Sequence, residues 1–236
     1  MVTFNLTDFE PVADRVWRAV AEPASVSIGL IAGSAGALVV DTGSSPAQGR
    51  SIRVAAERTA GVPVVAVVVT HHHYDHLFGL AAFADVATYG HLSLPESVRC
   101  HPTLAAELAA LGVDRDEVAE ANHPFGRRAD VDLGGRLVRV VALGPAHTPG
   151  DAVVLVPDAG VVFAGDLVEE AGPPWVEGDS SVAGWVDALG VLDALFDPDA
   201  PGAVVVPGHG RPVGRSFVAG QREHLAGLLS GRRGRG

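Results

Sequence analysis

The chain has 236 residues and a formal net charge of −11, and all 17 of its basic residues are arginine. So acidic a protein repels polyanions, which argues against nucleic acid as a partner, and the absence of lysine excludes Schiff-base chemistry. With 47% apolar and only 19% charged residues, the composition suits a large buried core and excludes wholesale disorder.

In chain order, the opening "MVTFNLTDFEPVADRVW" carries early acidic residues and no long apolar core, so no secretory leader is expected and a cytoplasmic location is. "RVWRAVA", "VSIGLIAG" and "GALVVDTG" are short apolar runs divided by glycine or proline and predict strands. "SSPAQGRSIRVAAERTAG" predicts a helix capped by Ser45, with Pro46 in its first turn and Gly61 as its stop. "VPVVAVVVT" predicts a strand buried on both faces that delivers the chain into His71. It is also the longest apolar run, well short of the roughly 18 residues of a membrane span, so no membrane partner is expected. "PTLAAELAALG" predicts a helix, and "RLVRVVALG", "DAVVLVPD" and "GVVFAGD" predict a second group of strands. Val182, Trp185, Val186, Leu189, Leu192 and Phe196 recur at helical spacing as a core-facing stripe. "GAVVVPGHG" predicts a last strand and "SFVAGQREHLAGLLSG" a closing helix. No low-complexity linker divides these segments. Residues 1–230 therefore read as one domain, with 231–236, "GRRGRG", as a disordered tail. Strand groups alternating with helices predict a layered α/β sandwich.

Five of these apolar runs end abruptly in histidine or aspartate. They are "VVDTG" at Asp41, "THHHYDH" at His71–His76, "GPAHTPGD" at His147, "VVFAGD" at Asp166 and "VVVPGH" at His209. A single buried histidine is most simply satisfied by backbone. Several on one side of a sheet are costly unless something pairs with them all. In "HHHYDH", an extended turn would point His71, His73 and Asp75 one way, with His76 approaching from the other side. Neutral imidazoles and carboxylates are ligands that zinc accepts. The single cysteine, Cys100, excludes an internal disulfide and any all-cysteine metal site.

His-x-His-x-Asp-His, read as His71, His73, Asp75 and His76, resembles the metallo-β-lactamase superfamily. The later histidine, aspartate and histidine in "GPAHTPGD", "FAGD" and "VPGHG" follow in that family's order, and "VVDTG" matches its early aspartate turn. The resemblance covers roughly residues 10 to 225. It implies a four-layer αββα sandwich with two zinc ions at the sheet edges; iron or manganese would suit the same ligand types. His71, His73 and His147 would hold the first ion. Asp75, His76 and His209 would hold the second, with Asp166 bridging both. Asp41 would be structural, His72 would point away from the metals, and Tyr74 would pack. The implied activity is hydrolysis of an ester, thioester, lactone or amide of a small molecule by a metal-held hydroxide, with Asp75 and Asp166 orienting it and carrying protons.

Departures from the subfamilies narrow this reading. Cys100 is not placed as the cysteine ligand of the commonest β-lactamases. The segment after His209 has neither the lysine nor the tyrosine of glyoxalase II, and the tyrosine that follows the bridging aspartate in the lactonases is missing. The loop "EEAGPPWVEGDSS" offers Trp175 as a wall of the substrate pocket, and Arg211 is a candidate for an anionic substrate group. "NHPFGRR" adds Phe125, Arg127 and Arg128 as weaker candidates. The alternatives are a mononuclear-iron persulfide dioxygenase of the same superfamily and a non-catalytic member of the fold. No feature of the sequence speaks to oligomeric state.

Overall fold

A computed structural model of the chain describes residues 2–196 and 202–233. Its first half runs β1 (Glu10–Ala13), β2 (Val16–Ala21), β3 (Val26–Ala32), β4 (Ala37–Val40), α1 (Pro46–Ala60), β5 (Val64–Val68), α2 (Tyr74–Leu77), β6 (Ala87–His91), α3 (Leu94–Cys100), α4 (Leu104–Leu111) and β7 (His123–Phe125). The second half runs β8 (Arg128–Asp132), β9 (Leu137–Ala142), β10 (Ala152–Val156), β11 (Val161–Glu169), α5 (Val182–Ala194), β12 (Val204–His209) and α6 (Arg215–Arg233).

Strands β1 to β7 lie in sequence order, and β8 to β12 form a second run. The two runs join edge to edge through a single antiparallel pair, Val26 opposite His209. Side-chain alternation along the strands then sorts the apolar residues into layers. In β4, Leu38 and Val40 enter the space between the sheets, while Ala37 and Val39 face the helices outside. In β11, Val161 and Phe163 point between the sheets, while Val162 and Ala164 face out. One outer core takes α1, α3 and α4 residues such as Ile52, Leu94 and Leu104, and the other takes Trp185, Leu189 and Leu225 from α5 and α6. Helices, sheet, sheet and helices therefore stack as the four-layer αββα sandwich. Central strands buried on both faces explain why β4 and β10 read as unbroken apolar runs.

Local signals act as expected around α1. Ser45 accepts from the Gln48 amide, and Gly61 closes the helix in the left-handed conformation at φ 69°. Strands β1, β6, β7 and β8 and the short helix α3 were not legible. Arg128–Asp132 is mostly exposed and charged, and β6 is interrupted by Gly90, so neither carries a strong apolar run. Strand β11 also runs three residues past Asp166, to Glu169, where it was expected to stop. Helix α6 reaches Arg233 and so takes in the start of the expected tail; residues 234–236 lie outside the described residues. No helix among the described residues is long and apolar enough to cross a membrane.

Trp185 ties the α5 layer to the sheet: it is fully buried, and its indole N–H donates to the Leu167 carbonyl at 2.9 Å. Truncating it leaves a cavity and removes one of the two donors to that carbonyl, the other being Gln221 Nε2. Trp185→Ala should therefore cost roughly 3–5 kcal/mol, measurable as a shift in urea midpoint at unchanged m-value.

Candidate metal centre

Parallel pairs β4–β5 and β11–β12 bring four strand ends to one edge of the sandwich. The Thr70 carbonyl accepts from the Ala152 amide at 2.9 Å, joining the two sheets beside that edge. Asp41 leaves β4 in the left-handed region, at φ 63°, a conformation aspartate tolerates better than most residues. Its carboxylate accepts from the Thr70 amide (2.8 Å), from the Thr70 hydroxyl (2.9 Å) and from His76 Nδ1 (2.8 Å). Since the Thr70 proton goes to Asp41, the hydroxyl oxygen is left to accept from His71 Nδ1, 3.1 Å away.

The turn is not extended through Asp75, as alternation predicted. His73 is extended at φ −64° and ψ 149°, and the short helix α2 starts at Tyr74. One helical turn after an extended one lets Asp75 and His76 approach from a different side than His71 and His73.

Two groups of donors result. His71, His73, His147 and Asp166 form one, and Asp75, His76 and His209 the other. Asp166 stands between them. Its Oδ2 is 3.6 Å from His71 Nε2 and 3.5 Å from His147 Nε2, while its Oδ1 is 3.1 Å from His76 Nε2. His209 Nε2 lies 3.2 Å from Asp75 Oδ2 and 3.6 Å from Asp166 Oδ2. The carboxylate sits where it does because residue 208 is glycine: a Cβ there would lie 1.8 Å from Asp166 Oδ1.

Whether these residues suit a cation is decided by their unused atoms. His147 Nδ1 donates to the Trp175 carbonyl (3.1 Å) and His209 Nδ1 to the Ala24 carbonyl (3.1 Å). Carbonyls only accept, so both rings carry a proton on Nδ1 and turn Nε2 to the centre. The Asp41 and Thr70 contacts do the same for His76 and His71. Nε2 of His71 and His76 and Oδ1 of Asp166 are buried with no aligned hydrogen-bond partner, and His73 turns its Nδ1 to within 3.1 Å of His147 Nε2. Converging lone pairs left without donors are what a bound cation requires, and the residues fit one.

Electrostatics point the same way. Burial, then the charge of His76, holds His71 well below its ordinary pKa, and burial with His147 lowers His73 to about 4. Burial opposes protonation of His76 too, but Asp166, Asp75 and Asp41 outweigh it and raise its pKa. His209 is likewise penalised by burial and yet lifted to about 11 by its contacts with Asp166 and Asp75. Without a metal, protons supply the positive charge that the carboxylates demand.

A cleft of about 380 Å³ opens over the centre, lined by His73, Tyr74, Asp75, His147, Asp166 and Trp175 among others. Trp175 is 66% exposed on its rim, and its indole donates to Glu177 Oε1 at 2.7 Å. Arg211 is placed elsewhere: its guanidinium pairs with Glu170 at 3.1 Å, outside the cleft lining. Phe125 packs between the sheets and Arg128 pairs with Asp130. His72 does turn from the two donor groups, but it is buried beside His101.

Sequence reasoning missed Glu169, His101 and Thr70. Glu169 pairs with His209 across the β11–β12 register and joins Asp166 and His209 in a third donor group. Its signal, a carboxylate three residues past Asp166, was hidden by ending the strand too early. His101 had no signal at all, since its neighbours come from distant segments.

A sequence profile of the metallo-beta-lactamase superfamily matches residues 21–209, and the chain belongs to that superfamily. It is 25% identical over 225 residues to a linear primary-alkylsulfatase from Pseudomonas sp. (strain ATCC 19151), covering 78% of this chain and 41% of that one. It is 29% identical over 110 residues to a hydroxyacylglutathione hydrolase from Shewanella sp. (strain ANA-3), covering 45% of this chain and 35% of that one. The chain thus matches well under two-thirds of the length of these curated relatives. Among solved structures, the metallo-beta-lactamase FIM-1 from Pseudomonas aeruginosa in its mono-zinc form superposes with a TM-score of 0.72 at 21% identity, covering 94% of this chain and 96% of that one. A metallo-beta-lactamase from Erythrobacter litoralis gives 0.71 at 22% identity, covering 92% and 95%. Both share the fold.

Asp41 touches no ligand-facing atom, yet it orients His76. Asp41→Asn should weaken metal affinity by roughly 10–100-fold, measured by competition with a chromophoric chelator. Glu169 provides a pH test on the metal-free protein. Burial, then the charge of Asp166, raises its pKa from 4.5 to about 9. Its carboxyl stays protonated when folded but ionises when unfolded, so its contribution is complete below pH 4.5 and lost as pH rises towards 9. Glu169→Gln should therefore gain stability relative to the parent over that window, read from urea melts at several pH values.

Proposed function

We propose that the protein is a metal-dependent hydrolase that holds two zinc ions and cleaves an ester, thioester, lactone or amide of a small molecule. One observation carries this reading: the Asp166 carboxylate presents one oxygen to His71 and His147 and the other to His76. His71, His73 and His147 would hold one ion and Asp75, His76 and His209 the other, with Asp166 between them. When bound, such ions supply Lewis acidity and draw the pKa of a water towards neutrality. Iron or manganese would suit the same donors. The sulfatase and hydrolase names of the two curated relatives support the reaction class.

The remaining work falls to the chain's own groups. Asp75 Oδ2 lies against His209 Nε2 at 3.2 Å and the side chain lines the cleft, which suits it to take a proton from water and return it to the leaving group. Asp166 holds its position because Gly208 makes room for it. Trp175 walls the cleft, with its carbonyl fixing His147 and its indole held by Glu177. Glu107 and Glu177 line the cleft with no arginine among the lining residues. That lining favours uncharged or cationic substrates over anionic ones, and Arg211, paired with Glu170, gives no counterweight there.

The test is a panel of ester, thioester, lactone, amide and β-lactam substrates, assayed on chelator-stripped protein reloaded with zinc, iron or manganese. Stripped protein should be inactive and zinc should restore turnover, fully at two equivalents. Asp75→Asn should lower kcat by roughly 10²–10⁴ with KM little changed. Equal turnover by stripped and zinc-loaded protein would sink the proposal. Iron-dependent oxygen uptake with a persulfide, and no hydrolysis, would replace it with a dioxygenase.

A further inference from the structure

Beside the centre lies a second set of buried imidazoles, of which the two-ion reading uses only His73. Donor atoms of His72, His73 and His101 lie within 4.8 Å of one another. Their rings stand edge to face, with centroids 4.8 Å apart for His72–His73, 5.0 Å for His72–His101 and 5.4 Å for His73–His101. Nε2 of all three is buried without a hydrogen-bond partner. The side chains of His72 and His101 are only 3% and 7% exposed.

The protonation of His101 follows from its neighbours. The Thr103 hydroxyl donates to Glu107 Oε1 at 2.6 Å, so its oxygen is free to accept from His101 Nδ1 at 3.0 Å. That places the ring proton on Nδ1 and leaves Nε2 a bare donor. His73 has its Nδ1 turned to His147, at 3.1 Å, which leaves Nε2 on the opposite edge of the ring. Two carboxylates reach the same cluster from the loop after β11. Glu177 Oε2 is 3.6 Å from His101 Nε2, and Asp179 Oδ2 is 3.7 Å from His72 Nε2. Both distances are too long for hydrogen bonds. They match instead the roughly 3.4 Å that separates neighbouring ligands of a tetrahedral zinc with bonds of about 2.0–2.1 Å.

We propose that His72, His73 and His101 form a further cation site, for zinc or a similar imidazole-binding divalent ion, completed by a carboxylate of Glu177 or Asp179. It rests on the two-ion reading in one respect: His73 serves both sites through opposite ring nitrogens, losing its ring proton to solvent when both are filled. The ion would pin the 170–181 loop to the end of α3. Glu177 holds the Trp175 indole, and Ser180 donates to the His147 carbonyl at 2.7 Å, so the site fastens the wall of the cleft. It is thus a latch on the substrate side of the centre.

The experiment counts zinc bound to chelator-stripped protein, by titration against a chromophoric chelator with elemental analysis of the desalted product. The parent chain is expected to take up one equivalent more than His101→Ala, three against two if the two-ion reading holds. Proteolytic cleavage in the 170–181 loop should slow at least tenfold with the last equivalent in the parent only. If the two-ion reading fails, the parent total drops below three, yet the difference of one equivalent from His101→Ala persists. Equal stoichiometry in the two proteins overturns the site. Should His101→Ala melt lower than the parent without metal, Glu177→Gln/Asp179→Asn carries the test from the loop. There a tenfold or greater loss of affinity for the last equivalent supports the site, and unchanged affinity overturns it.

Discussion

A carboxylate buried among imidazoles is the constraint on which this molecule turns. Asp166 is 7% exposed, lies on a central strand, and faces four histidine Nε2 atoms from three other segments. Isolated in such a place an ionised carboxylate would cost several kcal/mol. Burial alone would push its pKa up; His76 and His71 reverse that and hold it well below the ordinary range. Positive charge at this point is therefore required by the fold, as protons or as metal.

Much of the surrounding structure is explicable as support for that charge. Gly208 clears the space beside it, and Asp41 and Thr70 set the tautomers of His76 and His71. The Trp175 and Ala24 carbonyls do the same for His147 and His209. Each support comes from a different strand end or loop, so the centre exists only once both sheets are in register. The Val26–His209 strand pair lies within the centre itself. Packing of the sandwich and preparation of the site are one event.

The architecture was legible because the central strands are buried on both faces. Val64–Val68, Ala152–Val156 and Val161–Glu169 carry too much β-branched apolar surface to be anything else. The edge elements were not legible: β7 and β8 are short and largely exposed, so pairing rather than composition makes them strands. For the centre, the residue types and their order were visible in "THHHYDH", "GPAHTPGD", "VVFAGD" and "VPGH". The geometry within "HHHYDH" was not, because a helical turn at Tyr74 replaced the extended alternation that spacing suggested.

By itself, then, the sequence determined which residues could serve as donors, that they terminate buried strands, and that the strands belong to a layered sandwich. Those properties are carried by local pattern and burial. Tertiary structure alone decided that Asp166 stands between two donor groups, that Arg211 is drawn to Glu170, and that His101, some thirty residues beyond His72, lies against it. Contacts between distant segments depend on how sheets and helices close over one another, and no local pattern encodes where a closing loop comes to rest.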